Sequence, residues 1–275
     1  MKKIFFLFTL FAGFQAESQV FFRKSEFGMG VGGSNYFGDL NPEVKFTSAG
    51  YSGSVFYKYN ITKYIALKLN STYAHIAGDD KNSSNPYQLE RNLNFQNNIF
   101  ELSFGTEFHF FEYKIGDFEH RFTPYLTLGV ARFWYDPYTT LEGKNYFLRP
   151  LGTEGQNYES YKNRRYTNRS TSYPIGLGFK YWLAKGITLS MEITNRLTRT
   201  DYIDDVSTTY VGIDKFQDNQ PTPYPIPAAI LQDRSLNSFG NEGKQRGIST
   251  TTDQYMTMQF GFSFRLPTYR CPDDF

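Results

Sequence analysis

The sequence predicts an all-β fold, an eight-stranded antiparallel up-and-down transmembrane β-barrel with long extracellular loops. Three observations predict it. Segments of roughly ten or more residues alternate large apolar side chains with polar or small ones, the period-two pattern of a strand with one greasy face. The number of such segments is even, and the connections between them alternate long and short, as in bacterial outer-membrane barrels. The composition also fits: with 28 Phe and 22 Tyr in 275 residues, mean hydropathy is still only −0.51. Aromatic girdles and long wet loops together give that balance.

The clearest segment is the last, Gln254 to Leu266. Met256, Met258, Phe260, Phe262, Phe264 and Leu266 alternate with Thr257, Gln259, Gly261, Ser263 and Arg265. Tilted strands of about 9–11 residues cross a bilayer, so this one is long enough to close a barrel there. The first strand, Glu26 to Gly38, sets Phe27, Met29, Val31 and Phe37 against Gly28, Gly30, Gly32 and Ser34. So many glycines on one face imply a narrow interior or bulky neighbours packed close. Strand two runs from Thr47 to Tyr59, and after a tight turn at Asn60–Lys63 strand three runs from Tyr64 to Ile76. A polar loop follows from Ala77 to Asn94, carrying the turn-forming Asn85-Pro86.

Strand four, Phe95 to Phe111, alternates Phe100, Leu102, Phe104, Phe108 and Phe110 with Glu101, Ser103, Gly105, Glu107 and His109. Glu112–Glu119 turns the chain into strand five, His120 to Trp134, whose Arg132 is in outward phase near the strand end. A charge there costs little, against roughly 2–4 kcal/mol at a bilayer midplane. Tyr135 to Arg169 reads as a long polar loop. Strand six is Ser172 to Leu183, and a turn at Ala184-Lys185-Gly186 leads to strand seven, Ile187 to Leu197. The longest loop, Thr198 to Thr252, contains the Pro-rich run Pro221–Pro227.

Periodicity alone does not say which face points inward, and a soluble eight-stranded barrel would share the count. The polar face decides it. It carries Lys58, Lys68, Glu101, Glu107, Lys180, Glu192, Arg196 and Arg265 among glycines and serines, a set better suited to a salt-bridged lumen than to an aqueous exterior. In a lumen those charges must pair, because an unpaired buried charge is costly. They could line an ion path or form a packed plug. Eight strands leave an interior only wide enough for side chains to fill, which favours the plug.

Met1-Lys2-Lys3 followed by the apolar run Ile4–Phe14 and small residues at Ala16 and Ser18 has the form of a secretory signal peptide, residues 1–18. The run is short for a membrane anchor. The barrel then occupies residues 19–266 and a periplasmic tail residues 267–275, with no further domain boundary. Short turns after even strands place both termini in the periplasm. A formal net charge of +2 gives nucleic acid no electrostatic footing. The single cysteine, Cys271, excludes an internal disulfide framework; in an exported chain it is either an inert thiol or a link to another chain. Tyr269, Cys271 and Phe275 make the tail a candidate docking peptide, the alternative being a frayed end. No cofactor or metal is expected. His75, His109 and His120 are scattered without ligand spacing. Asp204-Asp205 reads as a solvated surface pair, a turn or a cation site ahead of a catalytic pair, so the chain is expected not to be an enzyme.

Three motifs carry a family resemblance. Ser34-Asn35-Tyr36-Phe37-Gly38-Asp39-Leu40-Asn41, Asp201-Tyr202-Ile203-Asp204-Asp205-Val206-Ser207 and Arg270-Cys271-Pro272 resemble hallmarks of the PorG-like outer-membrane proteins of Bacteroidetes. The resemblance spans the barrel end to end. It implies a structural component of the type IX secretion and gliding machinery, holding a periplasmic ring of a lipoprotein and its partner against the outer membrane. An intermolecular disulfide at Cys271 would fit that role. The alternative expectation is a surface binding or adhesion barrel working through its long loops.

Overall fold

A computed structural model describes residues 24–42, 45, 48–184, 186–216, 225–235 and 237–265. The expectations for residues 1–18, for Leu266, and for Tyr269, Cys271 and Phe275 in the tail lie outside them.

Eight long strands pair antiparallel with their sequence neighbours: β1 (Ser25–Phe37), β2 (Gly50–Asn60), β3 (Ile65–Asp79), β4 (Asn94–His109), β5 (Phe122–Trp134), β8 (Arg169–Ala184), β9 (Ile187–Thr198) and β10 (Gln254–Arg265). The last strand pairs with the first from Glu26↔Arg265 to Phe37↔Gln254, which closes the barrel. Closure leaves none of the eight with an unpaired edge, the condition for stability in a solvent that cannot hydrogen-bond the backbone. The barrel topology is therefore the predicted one. Strand ends differ by a few residues: β3 runs on to Asp79, and β8 begins at Arg169.

Sidedness follows the alternation. Val31 and Phe260 are 67% and 60% exposed, and Phe104, Leu128, Leu177 and Leu189 share the outer face with them. Tyr51, Tyr73, Phe100 and Trp134 ring one end of this apolar band, while Tyr64, Phe108, Phe110 and Phe122 ring the other. Arg132 is outward beside the first ring and donates to Thr171 Oγ1 at 3.0 Å.

Inside, the glycines of β1 give room to larger groups. A Cβ on Gly28 would strike the inward ring of Phe56, and one on Gly32 would meet the Met258 carbonyl oxygen across the β1–β10 seam. Gly32 is thus a close backbone approach at the closing seam, where any side chain must push the strands apart.

The long connections depart from the sequence reading. The stretch 135–168, expected to be a loop, forms a second hairpin, β6 (Tyr138–Leu141) and β7 (Lys144–Phe147), and a short helix, α2 (Leu148–Leu151). Helix α1 (Pro86–Arg91) and helix α3 (Pro225–Gln232) come from the connections before β4 and β10. Proline begins α1, and the Asn85 side chain caps it by accepting from Tyr87 N–H. Together these segments bury Leu40, Leu93, Leu148, Ile203, Val211 and Leu231 in one apolar cluster that continues down to Phe133 and Tyr255 in the barrel mouth. The connections are therefore a folded cap. Period-two reasoning missed it because a cap core has no fixed period.

Substituting Gly32→Val should block closure of the β1–β10 seam. The expected readout is loss of the fast-migrating folded band when unheated samples refolded in detergent are run on denaturing gels, with Gly53→Val, where a Cβ meets only the Gly30 carbonyl oxygen at 3.8 Å, unaffected.

Candidate functional site

Two buried polar clusters stand on the barrel axis. The first fills the lumen. Glu107 on β4 is fully buried and lies 2.7 Å from Lys58 Nζ, 3.1 Å from Lys180 Nζ and 3.5 Å from Lys68 Nζ. Lys68 also pairs with Glu192 at 2.7 Å, and the Tyr125 hydroxyl donates to the same Glu192 oxygen at 2.9 Å. Nearer the cap, Arg196 Nε donates to Glu101 at 3.3 Å, and Glu101 also accepts from the Tyr255 hydroxyl at 2.7 Å and from Ser172 at 3.1 Å.

Alternation brings these groups together because each sits in the inward phase of its strand. Aromatic rings then separate them: Lys58 lies 4.6 Å from the Phe56 ring centre, and Lys180 4.6 Å from that of Tyr113. Sequence reasoning passed over Glu26, which is buried and accepts from Ser263 at 2.8 Å and Asn60 at 2.7 Å. Its inward phase with Gly28 was the available signal. Glu26, Glu101, Glu107 and Glu192 thus face Lys58, Lys68, Lys180 and Arg196, four acids against four bases.

Arg265 was expected in this set and lies at its edge, opposite Glu26 on the β1–β10 ladder. At this turn end of the barrel its guanidinium donates to the Ile115 carbonyl at 3.2 Å. The β4–β5 turn folds back to meet it, burying Tyr113, whose hydroxyl shares a proton with Thr188 at 2.7 Å. Cavities of about 10 and 20 Å³ beside Lys68 and Glu192 are the size of single waters.

The second cluster lies in the cap and was not foreseen. Asp204 and Asp205, read from sequence as a solvated surface pair, a turn or a cation site, are fully buried. The correction has a physical cause: both are enclosed by groups from four connections. Asp205 accepts from Tyr166 at 2.6 Å and from Thr153 at 2.5 Å. Asp204 accepts from Tyr36 at 2.6 Å and from Val206 N–H at 2.9 Å. Arg246 donates to Glu154 at 3.1 Å and to the Asp205 carbonyl at 2.6 Å. Arg91 makes a two-pronged contact with Asp80 at 2.7 and 2.8 Å while donating to the carbonyls of Asp39 and Arg246. Burial pushes the Asp253 and Asp201 carboxyls up to about 8 and those of Asp39 and Asp205 up to about 6. Burial also lifts Asp204 well above the usual carboxylate range.

Two of the motifs singled out in the sequence meet here. Tyr36 and Asp39 come from the first, Asp204 and Asp205 from the second. A model of the family described as "Domain of unknown function (DUF6089)" matches residues 1–217. The chain belongs to that family. A comparison with curated proteins gives no match. Among solved structures the chain is similar to Neisserial surface protein A, at 9% identity, TM-score 0.43, covering 88% of this chain and 97% of that one. It is similar to Ail of Yersinia pestis at 9% identity, TM-score 0.40 and coverage of 87% and 96%. That structure is described as the attachment invasion locus protein in complex with a heparin analogue. OprG, an outer membrane protein of Pseudomonas aeruginosa, is similar at 11% identity, TM-score 0.39 and coverage of 88% and 97%.

Glu107→Gln leaves three lysines facing one fewer carboxylate and should lower stability by about 3–5 kcal/mol, the usual cost of breaking a buried pair. Removing the solvent-screened Lys63–Glu112 pair should leave stability almost unchanged. Urea titrations of both variants in the same micelles, followed by tryptophan fluorescence, check the contrast.

Proposed function

We propose that this chain is a non-enzymatic outer-membrane barrel that acts as a sealed anchor, holding a periplasmic assembly of the type IX secretion and gliding machinery at the outer membrane. One observation carries the reading: the barrel is filled and covered along its whole axis. A balanced ion network occupies the lumen, the β4–β5 turn closes one end and the folded cap closes the other. A barrel of this kind offers transport no route, so its work is done by its rims and its outer wall. The exposed apolar band between two aromatic rings supports lipid as the solvent of that wall.

The secretion role rests on the resemblance of the Ser34–Asn41, Asp201–Ser207 and Arg270–Pro272 motifs to the PorG-like proteins. In this reading the cap faces outward, both termini lie in the periplasm, and the tail with Tyr269, Cys271 and Phe275 docks a ring lipoprotein. A disulfide from Cys271 to that lipoprotein or its partner would make the attachment covalent.

A second reading, a surface-binding barrel, is favoured by a groove of about 400 Å³ beside hairpin β6–β7. Ser48, His75, Asp79, Asn94, Gln96 and Thr140 line it, and such a groove could hold a polar surface ligand.

Affinity purification from outer membranes under non-reducing conditions separates the readings. Cys271→Ser, or deletion of residues 267–275, should leave the barrel inserted and reduce recovery of a ring lipoprotein; undiminished recovery counts against the anchor. Replacing residues 138–147 with a short turn should abolish surface binding only in the second reading. Phe260→Arg tests the membrane placement common to both. It should cost roughly 2–4 kcal/mol in bilayer-supported folding if Phe260 faces the lipid midplane.

A further inference from the structure

We propose that Tyr36, Asp204 and Asp253 form a proton-held latch that keeps the cap closed on the barrel and lets it loosen as the pH rises. The geometry is a count of hydrogens. The Tyr36 hydroxyl lies 2.6 Å from Asp204 Oδ2 and 2.8 Å from Asp253 Oδ1. A phenol has one proton to donate, so it satisfies one of these contacts. The other oxygen pair is held only if a carboxyl proton lies between them. The remaining carboxylate oxygens are already engaged: Asp204 Oδ1 accepts from Val206 N–H at 2.9 Å and Asp253 Oδ2 from Ile203 N–H at 2.8 Å. All three side chains are buried. The extra proton therefore sits at the tyrosine, on a path closed to water.

The surroundings give that proton a reason to stay. Asp39 after β1, Arg91 before β4 and Asp201 after β9 act on the trio directly; behind them lie Asp80 before β4, Glu154 before β8, Asp205 after β9 and Arg246 before β10, with half-buried Arg164 bonded to the Glu154 and Thr209 carbonyls. Counting Asp204 and Asp253, seven carboxyls share two buried guanidiniums, and both are engaged elsewhere, Arg91 by Asp80 and Arg246 by Glu154. Full ionisation would leave buried negative charge without partners, whereas a proton removes that cost. The lumen below needs no such device because its acids and bases balance. Asp205 next to the latch is held at φ +66°, a left-handed backbone for a non-glycine residue that the closed packing must enforce.

The latch ties the end of β1 to the start of β10 and to the loop after β9. Losing it frees Ile203–Val206 and Asp253 from the barrel mouth, above Tyr255 and Phe133. The sign follows from linkage. Carboxyls raised in the closed cap hold protons that the open cap releases, so closure is strongest below the ordinary carboxylate range. It weakens as pH rises toward about 8, the value for Asp253, and then levels off.

Hydrogen exchange at the Ile203 and Val206 amides, corrected for intrinsic base catalysis, reads the opening directly on the full barrel in micelles. In that window each proton retained by the closed form makes the opening constant rise about tenfold per pH unit. In Asp253→Asn the amide N–H donates permanently to Tyr36, and the slope should drop by about one decade per pH unit. Equal slopes in the two proteins, or wild-type protection that is flat across the window, overturn the latch. Infrared spectroscopy keeps the test open if Asp253→Asn does not fold. The wild type should show a protonated-carboxyl band at neutral pH that shifts in Tyr36→Phe. An absent band, or one unmoved by Tyr36→Phe, overturns it as well.

Discussion

The ion pairs of Glu107 are the constraint on which the rest of the barrel depends. A carboxylate taken out of water loses several kcal/mol of hydration even after relaxation. Three lysines on three different strands, Lys58, Lys68 and Lys180, meet that loss from within 3.5 Å. They do so only if each strand keeps its phase, since a one-residue slip would turn its charges to the apolar side. The same network therefore fixes register as well as filling space. Its narrowness accounts for the glycines of β1, which leave room for Phe56 and let the last strand close against the first.

The cap follows the same electrostatic rule with the opposite charge balance. Its two buried guanidiniums cross-link carbonyls from distant connections: Arg91 reaches Asp39 and Arg246, and Arg246 reaches Asp205 and Gln232. They hold the loops in register much as the strand ladder holds the barrel. They do not neutralise the acids gathered around them. Order in the cap therefore draws on three sources: the apolar cluster around Ile203 and Leu148, the two arginines, and protons retained by buried carboxyls. The parallel stack of Tyr166 on Tyr202, with ring centres 4.5 Å apart, adds shape to the same region.

How much of this was legible in the sequence depended on periodicity. The eight barrel strands, their order and their outward faces followed from period-two alternation, because each residue's face is set by its neighbours along the strand. The lumen charges were legible for the same reason, and Glu26 would have been included had the phase been followed one step back from Gly28. Arg265 shows the limit of phase: it gives the face but not the partner a long side chain reaches, here the Ile115 carbonyl. The cap was not legible. Tyr36 and Asp204 are 168 residues apart, and no local pattern announces that contact. Polar composition suggested wet loops at Asp204-Asp205, yet here polarity marks buried carboxyls satisfied by Tyr36, Tyr166 and Thr153.

This difference between barrel and cap bears on where function can reside. The lumen is charge-balanced, its cavities beside Lys68 and Glu192 are no larger than single waters, and changing it would mean breaking several ion pairs at once. It is the part of the molecule least able to respond to anything. The cap holds surplus acid, a left-handed Asp205 and contacts that depend on one proton, so modest changes in its surroundings act on it selectively. Two of the motifs singled out in the sequence, Ser34–Asn41 and Asp201–Ser207, converge on this responsive part. A barrel serving only as a peg in lipid would need the balanced lumen and the greasy wall but would have no use for such a cap. The economical account is a division of labour along the axis. The lumen makes the barrel a rigid post, and the cap, under the proposed latch, sets what its rim presents.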